Sequence, residues 1–424
     1  SYTGDGSYSN SMVAWTPEAF TIREQMPKVF DREGRARFIR YNFSPYPKDD
    51  IINMLKREDL DLSIFHEHGV PNRMYLSGSP ETQSWTDHMD EMKYYWRGMA
   101  RRYENRPKDF KAMMDRMQNK YGLDSTWIEG WNDPKVIKED SLRDLRTGII
   151  LPEVTEIKPN SRMVIFDACY NGDFREPSCV ASEYIFADGK TIACFANSVN
   201  VLQDKSSSDL MGLLSCGFRL GQWTKNINIL ESHIIGDPTH RFAPAYKLPE
   251  IKINLKDTDY WMAVMHHNLP SDLKGLALYK LFDLKYEKMP ELLMETYRNS
   301  DSYTLRLQCL HLAAYYQDIY ADLLKDALDD PYEFIRRKAV YFMGKVGRND
   351  FIPYIVDLYM DDYLSERVSF NVVSTGNMLN VNLLKKALKE RIEKDGIYNG
   401  EAFYKEIEVL FCGQNTIHTG EICT

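Results

Sequence analysis

Arg162-Met163-Val164-Ile165-Phe166-Asp167 is an apolar run that opens into Ala168-Cys169-Tyr170-Asn171-Gly172-Asp173-Phe174, a polar stretch with a glycine inside it. A run of this kind reads as a strand buried on both faces, as strands of parallel sheets are. Upstream, Leu60-Asp61-Leu62-Ser63-Ile64-Phe65-His66 reads as a second short strand and leads at once into Glu67-His68-Gly69. Ala36 to Phe43 alternates as a strand, Lys48 to Lys56 has helical spacing, and Thr16-Pro17-Glu18 is a good helix start. Thr191-Ile192-Ala193-Cys194-Phe195-Ala196 is a further apolar run, followed by a helical stretch from Ser208 to Leu220. Strands alternating with helices predict a parallel α/β sheet. Loops leaving the carboxyl ends of such strands share one edge, where ligands bind. His68 and Cys169 are thereby expected to meet, although 101 positions separate them.

Outside this frame the patterns change. Residues 83–147 are polar, rich in Met and aromatics and mostly helical in period, and read as a helical insertion. From about residue 258 to 412 strand character disappears. Ser302-Tyr303-Thr304-Leu305-Arg306 comes about thirty residues before Pro331-Tyr332-Glu333-Phe334-Ile335-Arg336-Arg337, which precedes Tyr363-Leu364-Ser365-Glu366-Arg367 by a similar distance. Each is preceded by one or two Asp, and Ala321-Asp322-Leu323-Leu324 matches Ile352-Pro353-Tyr354-Ile355. Paired helices at such a period predict an α-solenoid similar to HEAT repeats. The division expected is an α/β domain over residues 1–250 and a HEAT-like all-α solenoid over 251–424.

The 424 residues carry a formal charge of −9, mixed along the chain. That gives no support for nucleic acid as the main partner, because phosphate binding needs a concentrated basic surface. No apolar run approaches the length of a membrane span. The seven cysteines contain no Cys-x-x-Cys pair, so no zinc pattern is present and no metal site is expected. Their odd number leaves at least one free thiol, for which Cys169 is the candidate; Cys412 and Cys423 are equally readable as linked or unpaired.

A thiol with an imidazole at hand is the pair that nucleophilic catalysis by cysteine needs: the base takes the proton, and the thiolate attacks. Gly69, without a side chain, lets its N–H approach a substrate carbonyl, and the N–H of Cys169 supplies a second donor for an oxyanion. On these residues alone two readings stand: a cysteine hydrolase, and a small buried hydrophobe closing a strand. His66, two positions before His68 on the same strand, is the rival base but lacks the following glycine.

The order strand, His-Gly, strand, Asp-Ala-Cys resembles the clan of caspases, legumain, clostripain and separase. Ala168-Cys169-Tyr170-Asn171-Gly172-Asp173-Phe174 is most similar to the gingipain family, whose nucleophile lies in an Ala-Cys-x-Asn-Gly-Asp-Phe context. Ile192 to Asn200 resembles that family's strand and loop after the nucleophile, and Ile234-Ile235-Gly236-Asp237-Pro238-Thr239 resembles its closing Gly-Asp-Pro segment. The likeness covers roughly residues 10–245. It implies a caspase/gingipain-like sandwich with a parallel-rich sheet, and a cysteine endopeptidase with Cys169 as nucleophile and His68 as base. It further implies an oxyanion hole of Gly69 and Cys169, with Asn197, Ser198, Val199 and Asn200 binding substrate as an added strand. The pocket loop Asn200 to Lys205 shows no evident aromatic, so no Arg or Lys preference carries over.

No organic cofactor follows from the resemblance; a structural calcium ion is compatible with it, though no ligand set is readable. The implied partners are a protein or peptide substrate and a cleaved N-terminal fragment of the same precursor, because the family's domain normally begins well upstream. The implied location is the periplasm, surface or exterior of a bacterium. The alternative from another class is an inactive peptidase-like scaffold acting through its helical repeats. An acyltransferase using the same dyad is a third.

Overall fold

The computed structural model describes residues 2–4, 20–30, 36–40, 48–76, 84–201, 209–227, 230–362 and 365–411. The expected helix start at residues 16–18, the pocket-loop residues 202–205, and Cys412 and Cys423 lie outside the described residues. The chain divides into two compact units. One comprises Ser1–Tyr8, Phe38–Val201 and Glu231–Gly236; the other comprises Ser9–Arg37, Leu202–Leu230 and Asp237–Thr424.

The strands of the α/β unit are β1 (Tyr2–Gly4), β2 (Phe38–Arg40), β3 (Leu62–His66), β4 (His68–Val70), β5 (Arg73–Tyr75), β6 (Gly148–Ile150), β7 (Met163–Asp167), β8 (Ala193–Asn197) and β9 (Ser232–Gly236). Six of them form one sheet in the order β2-β1-β3-β7-β8-β9. The first five run parallel, and β9 closes the edge antiparallel to β8. All five residues of β7 are buried, as the centre of a two-sided sheet requires. Phe65 of β3 stacks on Phe166 of β7 with ring centroids 5.9 Å apart, and Tyr184 of helix Val180–Phe186 meets Phe166 edge-on at 5.2 Å. Helix Lys48–Leu55 adds Ile51, Met54 and Leu55 to the same core. Burying side chains of this size stabilises by about 1.5–3 kcal/mol each.

Strands β4, β5 and β6 form a second, antiparallel sheet. The expected insertion leaves from β5 and returns in β6 as helices Trp85–Arg102, Pro107–Tyr121 and Pro134–Leu145. Trp96, Ala100, Met113, Met117 and Ile128 give it a core of its own. Asp140, buried, binds Arg97 at 2.8 and 2.5 Å and Arg101 at 2.6 Å. Arg73 of β5 binds Asp144, which roots the insertion on the sheet whose outer strand starts at His68.

In the second unit, helices from Thr258–His266 to Gly400–Glu408 follow one another. Helix Tyr303–Ala313 packs against Ser271–Asp283, and Glu366–Gly376 against Glu333–Val346, each pair two places apart in the helix order. The weak repeat has a physical basis. Arg306 grips Asp330 at 2.7 and 2.9 Å and reaches the Ser300 carbonyl at 2.8 Å. Arg336, one repeat later, binds Asp362 at 2.8 Å and the Asp330 carbonyl at 2.8 Å. Ser302 and Ser365 cap their helices by accepting from the amides of Leu305 and Val368.

This unit is not cut at residue 250. Asp272 accepts hydrogen bonds from Gln25 at 2.9 Å, from the Gly212 amide at 2.5 Å and from Thr304 at 3.1 Å. Gln308 donates to Asp209 at 2.8 Å. These buried polar contacts tie residues 20–30 and 209–227 to the helices.

Candidate active site

Strands β3 and β7 are parallel neighbours with His66 in register with Asp167, so both loops leave the same edge of the sheet. After His66 the chain bends at Glu67, whose N–H donates to the Asp167 carbonyl at 3.2 Å, and enters β4 at His68. A Cβ added to Gly69 would lie 2.6 Å from the Cys169 carbonyl oxygen and 2.6 Å from both Asn171 side-chain terminal atoms. Only glycine fits between the two loops. The main chain at Gly69 therefore lies against the Cys169 loop.

Each residue of the cysteine motif has a structural reason. Ala168 is buried. Tyr170 takes φ 56°, a left-handed conformation uncommon for an aromatic, and this turn brings its N–H to the Val199 carbonyl at 3.2 Å. Asn171, fully buried, donates to the carbonyls of Val70 at 2.8 Å and Arg73 at 3.1 Å, stapling the cysteine loop to the histidine loop. Gly172 leaves no room for a side chain beside Ala196, and its N–H reaches the Asn197 carbonyl at 2.9 Å. Asp173 binds Arg175 at 2.7 and 2.8 Å, and Arg175 donates to the Ser198 carbonyl at 2.8 Å.

Cys169 is half-buried. Its thiol donates to Asn200 Oδ1 at 2.8 Å, and its Sγ lies 3.3 Å from both the carbonyl and the amide of Val201. Burial pushes the thiol pKa up, the Val201 amide pulls it down, and the Asp167 carboxylate pushes it up again. The net direction is upward, so the resting sulfur is a thiol. Among the other described cysteines Cys179, Cys194 and Cys309 are buried, and burial raises the Cys216 thiol to about 12.

The two histidines part company here. His66 is buried, with Nδ1 2.6 Å from Asp167 Oδ2. His68 is exposed, one residue from Gly69. The segment Asn197 to Asn200 is built into the domain. Asn197 donates to the Ala168 carbonyl at 3.0 Å and accepts from Ser232 at 2.6 Å; the Ser198 amide donates to the Glu231 carbonyl at 2.9 Å. The Val199 carbonyl also accepts from the Tyr170 amide, at 3.2 Å. Sequence reasoning missed the Asn171 staple, the Asn200 contact and the His66–Asp167 pair, none of which has a spacing signal.

No family model matches this chain, no curated protein is similar to it, and no solved structure matches it. Among the described residues no group of His, Cys, Asp and Glu is placed to hold a metal ion, and no helix is long and apolar enough to cross a membrane.

Proposed function

We propose that the chain is a cysteine endopeptidase of caspase/gingipain-like type, with Cys169 as nucleophile and His68 as general base. The observation that supports this is the packing of Gly69, the residue after His68, against the Cys169 carbonyl where the two loops leave the ends of the parallel strands β3 and β7. His68 removes the proton from Cys169 Sγ, and the sulfur attacks the scissile carbonyl carbon. The amides of Gly69 and Cys169 receive the oxyanion. The C–N bond breaks as His68 returns the proton to the leaving amine, which yields a thioester. His68 then deprotonates water, water adds to the thioester, and the carboxylic acid leaves as the thiol re-forms. A HEAT-like solenoid carrying the catalytic unit, and export from a bacterium, belong to the same proposal.

The contact of the thiol with Asn200 favours a second reading, a scaffold whose cysteine is spent on structure. Hydrolysis of a mixed peptide library separates the two. Cys169→Ala and His68→Ala are expected to lower the rate at least about a hundredfold with unchanged melting temperature, as loss of a nucleophile or a general base does. Equal hydrolysis by wild type and both variants, or none by any of them, favours the scaffold.

A further inference from the structure

Below the nucleophile lies an ionisable pair that the reaction as written does not use. His66 ends β3, Asp167 ends β7, the two are register partners, and their side chains are 5% and 3% exposed. Their 2.6 Å contact is fixed by the two central strands rather than by loops. Asp167 stands two residues before Cys169. A lone carboxylate at that position opposes formation of a thiolate above it, because like charges in a buried setting repel strongly. An imidazolium bound to it removes that opposition while remaining too deep to touch substrate.

We infer that His66 is a positioning residue that offsets the Asp167 carboxylate beneath Cys169 and so eases loss of the thiol proton to His68. The inference rests on Cys169 being the nucleophile, and it gives the two histidines separate tasks: His68 moves the proton, and His66 sets the field in which it moves. The other titratable groups on the surrounding elements are Glu67 after β3, His68 on β4, Tyr170, Asp173 and Arg175 on the cysteine loop, Tyr184 on helix Val180–Phe186, Cys194 on β8 and His233 on β9. Glu67, buried beside His66 in sequence, adds a second acid to the same edge and strengthens the need for a cation there.

The test is the pH dependence of Cys169 alkylation by iodoacetamide, read by peptide mapping on the full chain. His66→Gln is expected to raise the midpoint by about one pH unit, a roughly tenfold slower reaction at pH 7. His66→Gln with Asp167→Asn is expected to return it to the wild-type value. A single variant with an unmoved midpoint, or a double variant that stays with the single one, overturns the role. A purely structural histidine gives neither a shift nor its reversal. Should the variants not fold, ¹⁵N spectra of histidine-labelled wild type decide the matter: His66 is expected to keep both ring protons at pH 7, and a singly protonated ring overturns the proposal. If wild-type Cys169 reacts no faster than Cys216, the nucleophile reading itself fails. Fast labelling with no shift removes only His66.

Discussion

The two units both bury charge, and they use it differently. In the helical unit the buried pair Arg306–Asp330 recurs one repeat on as Arg336–Asp362, and each arginine also closes a carbonyl six residues earlier. Such a ladder braces successive helices and serves no single point. In the α/β unit, His66–Asp167, the Asn171 staple and Asp173–Arg175 differ in kind, yet all hold the one loop that bears Cys169. Repetition marks a brace, and under the proposed function convergence on the loop that bears Cys169 marks a site. Loss of a pair in the first unit is therefore a matter of stability, and loss in the second is a matter of reactivity.

The sharpest way to break this contrast is Asp330→Ala. It leaves Arg306 buried without its carboxylate and is expected to cost about 3–5 kcal/mol, seen as a lower urea midpoint, with the rate of Cys169 alkylation in the folded protein unchanged. A slowed alkylation contradicts the separation. Gly69→Ala forces a methyl group against the Cys169 carbonyl and Asn171. It is expected to cost about 1–3 kcal/mol in stability and to abolish most hydrolysis. Gly98→Ala, where a methyl meets nothing within 4 Å inside helix Trp85–Arg102, is expected to stabilise by about 0.4–1 kcal/mol.

Buried acids in the helical unit also give a pH trend. Burial raises Asp209 and Asp272 to about 7, against contributions that lower each, among them Lys338 and Gln308 for Asp209 and the Gly212 amide for Asp272. An acid with a raised pKa binds more protons folded than unfolded, so stability falls as pH rises from about 4 to about 7 and then levels off. The urea midpoint is expected to be higher at pH 5 than at pH 8, and Asp272→Asn is expected to flatten that slope. A steeper slope in the variant contradicts the assignment.

Much of the frame was legible. The stretches 60–66, 162–167 and 191–196 read as strands, and β3, β7 and β8 fall on them, buried along nearly their whole length. Helical period was read from about 258 to 412, where helices run from Thr258 to Glu408, and over 83–147, where helices Trp85–Arg102, Pro107–Tyr121 and Pro134–Leu145 lie. β1, β4, β5 and β6, three residues each, are too short to show a period, and β9 was masked by its Gly-Asp-Pro context. The affiliation of residues 20–30 and 209–227 with the helices rests on contacts such as Gln25–Asp272, 247 positions apart, which no local pattern announces. At the site, alternation placed His66 and His68 on one face. The bend at Glu67 ends β3 and breaks that alternation, so one histidine is buried against Asp167 and the other is exposed.

The central claim is that Cys169 is a nucleophile served by His68. Incubation with acyloxymethyl ketone peptides varied at the residue before the ketone, followed by mass mapping, tests it most directly. The account predicts labelling at Cys169 with at least one of these peptides, and its loss in His68→Ala. Absence of labelling by every peptide in the folded protein, or labelling that persists undiminished in His68→Ala, contradicts it.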